Sequence, residues 1–67
     1  MGKQRVRRVA AHEVIVGKEV FSPAVVELIR GKVVGHYLLT EELPQTEWLG
    51  GTILVEGDCA FWNGVKL

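Results

Sequence analysis
Little in this sequence offers itself for cross-linking or for chemistry. One cysteine, Cys59, stands among 67 residues, so no internal disulfide can form, and a lone thiol suits a reducing compartment. Only two histidines, His12 and His36, join it as candidate metal ligands, and all three are scattered along the chain. Net charge is absent as well: eight basic and eight acidic side chains cancel, and the pI is about 6.7. That balance argues against a general binder of nucleic acid or anionic membrane. No apolar run approaches the eighteen or more residues that a membrane span requires. His12 and Glu13 interrupt the apolar stretch after the basic start, which argues against a signal peptide. Val6 stands where an N-myristoylation signal needs Ser or Thr. By elimination, the expected location is the cytoplasm.

What is present is apolar and β-branched. Hydrophobic residues make up 48% of the chain and the mean hydropathy is +0.19, which argues against disorder. Eleven valines, three isoleucines and three threonines favour strands over helices. A domain of about 60 residues buries only roughly 60% of the surface its unfolded chain exposes. Disulfides, a metal or oligomerisation usually supply the missing stability. With the first two unsupported, a homodimer formed through strand edges is the expectation.

Along the chain, residues 9–16 read as a first strand with apolar residues on both sides, a sign of burial on both faces or at an interface. Gly17-Lys18 makes a turn, residues 19–21 a short strand, and Ser22-Pro23 a break. The next segment has two readings. Ser22 as N-cap, Pro23 at the first position and Gly31 after the last would bound a short helix over 23–30. Alternatively, residues 24–29 pair with 32–39 across an Arg30-Gly31 turn, and the β-branched Val33-Val34 just beyond it favours this hairpin. Residues 40–51 are the least strand-like, with Thr40-Glu41-Glu42 able to open one helical turn before Pro44. Residues 52–56 and 59–62 read as strands around a Gly57-Asp58 turn, followed by the turn signal Asn63-Gly64. The predicted fold is all-β, a small meander or half-open barrel of about five short strands, with α+β as the alternative if 23–30 is helical. Residues 1–8 read as a flexible basic arm and 9–67 as a single β domain.

The charges are unevenly placed: residues 1–32 carry seven basic and three acidic groups, whereas residues 33–67 carry Lys66 against five acids. Ordinary solvated segments account for this, although the basic arm meeting an acidic loop, in the same chain or another, would too. The arm has no interleaved aromatic residue, so it does not point to nucleic acid. His12-Glu13 begins a zinc-protease pattern, but Val16 replaces the second histidine. His36 and Tyr37, adjacent in a strand, face opposite ways and do not converge on one substrate atom. Cys59 would need a nearby histidine to act as a nucleophile, and it reads instead as a small packing side chain. Neither Gly17-Lys18 nor Gly31-Lys32 has the preceding glycine of a phosphate loop, and no Gly-x-Ser-x-Gly elbow occurs. No catalytic residue, metal or cofactor is predicted.

The aromatic residues remain. Trp and Tyr are typical interface anchors, so the candidate interaction residues are Trp48, Leu49, Tyr37, Phe61 and Trp62. Trp48 is expected on a loop, exposed. Phe61 and Trp62 should face opposite ways, one inward and one outward.

The runs Val14-Ile15-Val16-Gly17-Lys18-Glu19-Val20 and Val25-Val26-Glu27-Leu28-Ile29-Arg30-Gly31-Lys32-Val33-Val34, followed by Gly51-Thr52-Ile53-Leu54-Val55, carry a family resemblance. They are similar to the small N-terminal β-portion of amidohydrolase-superfamily enzymes, where a strand, a glycine turn and a Gly-Lys hairpin recur. The likeness spans about residues 14 to 55. It implies β-hairpins rather than a helix. It implies no hydrolase activity, because the family's Asp-x-His-x-His metal element and its catalytic barrel are missing here, and residues 40–49 depart from the pattern. The functional expectation is a non-enzymatic, self-associating interaction module. Two alternatives stand beside it: a detached accessory β-domain docking on a larger enzyme, and a small-molecule binder between protomers using Tyr37, Trp48 and His36.

Overall fold
The computed structural model describes residues 5–41 and 44–67. Among the described residues, nine strands run in chain order: β1 (Arg7–Ala11), β2 (Glu13–Val16), β3 (Glu19–Phe21), β4 (Ala24–Ile29), β5 (Lys32–Leu38), β6 (Thr46–Trp48), β7 (Thr52–Glu56), β8 (Cys59–Trp62) and β9 (Val65–Lys66). They form two sheets, one ordered β5-β4-β1-β6 and the other β3-β2-β7-β8-β9. The protein is all-β, and the sheets do not close into a barrel.

The chain crosses between the sheets three times. The expected strand over residues 9–16 is two strands in different sheets, separated by a bend at His12. Ser22-Pro23 carries β3 into β4, and Leu49-Gly50-Gly51 carries β6 into β7. Corners where strands switch sheets are how a short chain covers both sides of one core. At the first and third crossings the two passages run side by side. β1 pairs with β6 in parallel, and β2 likewise with β7. Leu49 N–H donates to the Ala10 carbonyl at 2.8 Å, and Glu13 N–H to the Gly51 carbonyl at 3.1 Å, so the ladder continues through the bend. These parallel pairs make the topology more than a meander.

Between the sheets lie Val9, Ala11, Val14, Ala24, Val26, Leu28, Ile53, Val55 and Ala60, all buried. Val16, Phe21, Val33, Leu49, Trp62 and Leu67 pack around them. Ala10 and Val25 are equally buried on the other side of β1 and β4, and burial of both faces of the central strands matches the two-sided apolar pattern of the sequence.

The segment open to a helical reading is strand β4. β-Branched Val25, Val26 and Ile29 pair with β5 across Arg30-Gly31, and both turn residues have positive φ, 54° and 80°. That is the mirror-image turn whose twist matches a hairpin, and Arg30 occupies a position that usually goes to Asn, Asp or Gly. Tertiary pairing on both sides of β4 outweighs the helix punctuation.

Three further expectations are corrected. Arg7 and Arg8, read as the end of a basic arm, open β1, so the first strand begins at Arg7 rather than Val9; residues 1–4 of that arm lie outside the described residues. Thr40 and Glu41 form no helical turn, and Glu42 lies outside the described residues. Trp48, expected on a loop, is in β6, a short strand in the region judged least strand-like. Among the described residues, no helix is long and apolar enough to cross a membrane.

Candidate interaction surface
Strand alternation sorts the sequence candidates onto different surfaces. On the four-stranded sheet, register aligns Tyr37, Val25, Ala10 and Trp48 in one row across β5, β4, β1 and β6. The aromatic residues stand at the two ends, with the buried Ala10 and Val25 between them. Trp48 is 54% exposed, and its indole meets the His12 ring edge-on, with centroids 4.9 Å apart. His36 belongs to the opposite side of β5 and packs obliquely against Phe21, with centroids 5.3 Å apart. Tyr37, Trp48 and His36 therefore do not converge within one chain.

The next row on the same face is polar. Glu27 of β4 accepts hydrogen bonds from Tyr37 OH at 2.9 Å and Arg8 Nε at 3.0 Å, both on Oε2. The three side chains tie β1, β4 and β5 together. The tyrosine hydrogen bond first, and the arginine hydrogen bond and charge with it, hold the Glu27 carboxyl below the usual carboxylate range. Its folded pKa is depressed, so its stabilisation is present above the unfolded carboxylate pKa and lost as pH falls through the folded value. Acidification below about pH 5 should therefore erode the stability of the native protein more than that of Glu27→Gln. Paired urea titrations from pH 7 to pH 3 would reveal this, and parallel pH profiles would refute it.

At the edge of this sheet, Arg7 Nε meets Glu47 Oε2 at 2.9 Å and Arg7 Nη2 meets Glu47 Oε1 at 3.1 Å. One contact between the basic start and the acidic later half is thus made within the chain, by the parallel pairing of β1 with β6. Both side chains are about half exposed, so water and salt screen the pair.

On the five-stranded sheet, Val20, Ile15, Leu54, Phe61 and Lys66 form a row across β3, β2, β7, β8 and β9. The first four are apolar and lie on the face away from the core. Val20 is 57% and Leu54 38% exposed, while Ile15 and Phe61 are half-buried. Phe61 and Leu54 also line an open depression with Thr52, Glu56, Asn63 and Gly64. Trp62 points the other way, packs on the core and donates its indole N–H to the Gly50 carbonyl at 2.9 Å. Leu49 likewise packs on the core. Of the sequence candidates, Trp48, Tyr37 and Phe61 face outward, on two different sheets. The run through Val20, Ile15 and Leu54 escaped sequence reading because it joins residues 15, 20, 54 and 61, and only strand pairing makes them neighbours.

Cys59 is half-buried, with its thiol 3.6 Å from Asp58 Oδ1. Among the described residues, no group of three or more His, Cys, Asp or Glu side chains is placed to hold a metal ion.

No protein-family model matches the chain, and no curated protein matches it. A solved structure does: an N-acetyl-D-glucosamine-6-phosphate deacetylase from Mycobacterium smegmatis, in complex with N-acetyl-D-glucosamine-6-phosphate, with a TM-score of 0.55 over 79% of this chain. This fold resembles a portion of an amidohydrolase-superfamily deacetylase. The likeness agrees with the resemblance carried by the strand and hairpin runs of the sequence. At 21% identity it is a likeness of fold, and the chain spans 13% of the deacetylase's length.

Proposed function
We propose that this chain is a non-enzymatic protein-interaction module that self-associates. The observation that supports it best is uncovered apolar surface: the row Val20, Ile15, Leu54 and Phe61 on one face, and Val34, Tyr37 and Leu38 exposed along β5. Contiguous apolar patches on small soluble domains mark contact sites. A cytoplasmic setting suits the reduced thiol of Cys59. Light scattering after size exclusion, at two protein concentrations and two salt levels, tests the reading. The expected result is a mass above 7.4 kDa that rises with concentration and changes little with salt, because the surfaces involved are apolar. A 7.4 kDa species under every condition would overturn it.

A second reading is favoured by the fold comparison: an accessory β-domain that docks on a larger enzyme. The resembling portion of the deacetylase is a small part of one long polypeptide, so this fold is compatible with a larger body beside it. The outer row of the five-stranded sheet is the surface this reading would use. A complex with a barrel-type enzyme that dissolves on Leu54→Lys would favour it, and one indifferent to Leu54→Lys would count against that surface.

A further inference from the structure
Among the described residues, four strands lie at sheet edges: β5 and β6 on one sheet, β3 and β9 on the other. Three of them are two or three residues long, whereas β5 has seven. An edge strand presents unpaired N–H and C=O groups, and long flat edges are usually blunted by charge, proline or a bulge.

The direction of each β5 backbone group follows from two hydrogen bonds. Leu39 N–H donates to the Pro23 carbonyl at 3.0 Å, so it points inward, toward the β4 side. Alternation then turns Tyr37 inward as well, and sends the N–H and C=O of His36 and Leu38 outward. At the other end, Val33 N–H points outward and donates to the Asp58 carbonyl at 2.7 Å, so the β7–β8 turn already occupies that end. The two ends agree because the ladder slips between Glu27 and Leu28, leaving Val34 as the extra residue of a bulge. Among the described residues, the free edge is thus His36 to Leu38. Its side chains are exposed, Leu38 at 51%, and residues 33–40 contain no lysine, arginine or acid.

We propose that two copies of this chain pair antiparallel through β5 about a two-fold axis at Tyr37. This rests on the self-association reading and assigns it a surface. The axis sets His36 opposite Leu38 of the second copy, and each of these pairs exchanges two hydrogen bonds, four in all. Neither His36 nor Leu38 faces a like charge in this register, because residues 33–40 contain no lysine, arginine or acid. A second copy therefore fits this edge in backbone pattern, with no charged side chain of residues 33–40 opposing it. The two four-stranded sheets join into one of eight strands, and the pairing stops where the Asp58 turn caps Val33.

Leu38→Pro tests this, because it removes an outward N–H without breaking a bond inside the chain, and the extended Tyr37 tolerates a following proline. The native chain should approach twice 7.4 kDa with rising concentration in sedimentation equilibrium. Leu38→Pro should remain at 7.4 kDa with an unchanged far-ultraviolet circular dichroism spectrum, and Leu54→Lys should still dimerise. A folded Leu38→Pro that dimerises overturns the β5 assignment, as does a dimer dissolved by Leu54→Lys alone; either leaves self-association standing. A native chain that stays monomeric overturns both. Should Leu38→Pro misfold, hydrogen exchange of the native chain decides. His36 and Leu38 amides should gain protection with concentration while Tyr37 does not, and concentration-independent exchange at all three refutes the pairing.

Discussion

Leu28→Ala is expected to leave this protein largely unfolded near body temperature. Leu28 is 1% exposed and sits on β4, which pairs with β1 on one side and β5 on the other. Its side chain lies in the core with Val9, Val26 and Ile53. Removing a buried leucine side chain costs about 2–5 kcal/mol, because the cavity collapses only in part. Backbone ladders on both sides hold β4 in place, which limits collapse and favours the upper half of that range. A domain of this size has roughly 3–10 kcal/mol of total stability, so one substitution removes a large share. Thermal unfolding followed by circular dichroism should show the midpoint falling by about 10 °C or more. Leu28→Met, which keeps the volume, should cost less than about 1.5 kcal/mol. If Leu28→Ala melts within a few degrees of the native chain, the two sheets are not held together through this residue.

Gly51→Val is the second large effect, and it acts through the backbone. Gly51 has φ +63° at the crossing from β6 to β7, and a Cβ there would sit 3.4 Å from the Trp62 indole nitrogen. Left-handed backbone costs an ordinary residue about 1–2 kcal/mol, and a β-branched one is worse placed still. The added methyls also press toward the partly buried Trp62 ring, whose N–H is bonded to the neighbouring Gly50 carbonyl, and a typical hydrogen bond contributes about 0.5–1.5 kcal/mol. The Gly51 carbonyl itself accepts from Glu13 N–H, so the strain reaches the β1–β2 bend. Gly51→Ala should lose only the cost of left-handed backbone for an ordinary residue, and in a urea titration the further loss of Gly51→Val measures what β-branching and the methyls against Trp62 add. Equal losses would mean that neither β-branching nor contact with Trp62 adds to the cost.

The hairpin over residues 24–38 was legible because its signals are local: a β-branched run, a Gly-containing turn, and a second β-branched run. The β7–β8 hairpin was legible for the same reason. Strand β6 was not. Its three residues, Thr46-Glu47-Trp48, carry no alternation long enough to read, and they become a strand because β1 offers an open edge with which to pair in parallel. The same long-range pairing brings Glu47 to Arg7, turning two charges that looked like solvated ends into a contact between elements. The aromatic candidates were legible as residue types but not as a surface. Alternation predicted that Phe61 and Trp62 would part, and it took the packed core to decide that Trp62 turns inward.

By itself the sequence determined that this is a β protein without an internal disulfide, with tight turns at 17–18, 30–31, 57–58 and 63–64, and with a high content of β-branched side chains. Those properties follow from local sterics and from apolar content, which each residue carries wherever it lies. Tertiary structure alone decided that the first strand bends at His12 into a second sheet and that parallel pairs bind residues 7–16 to 46–56. It also decided that Val20, Ile15, Leu54 and Phe61 share one open face while β5 is left as the long free edge. Such pairings join residues roughly 40 apart, and no short window of sequence encodes which of several compatible edges a strand will meet.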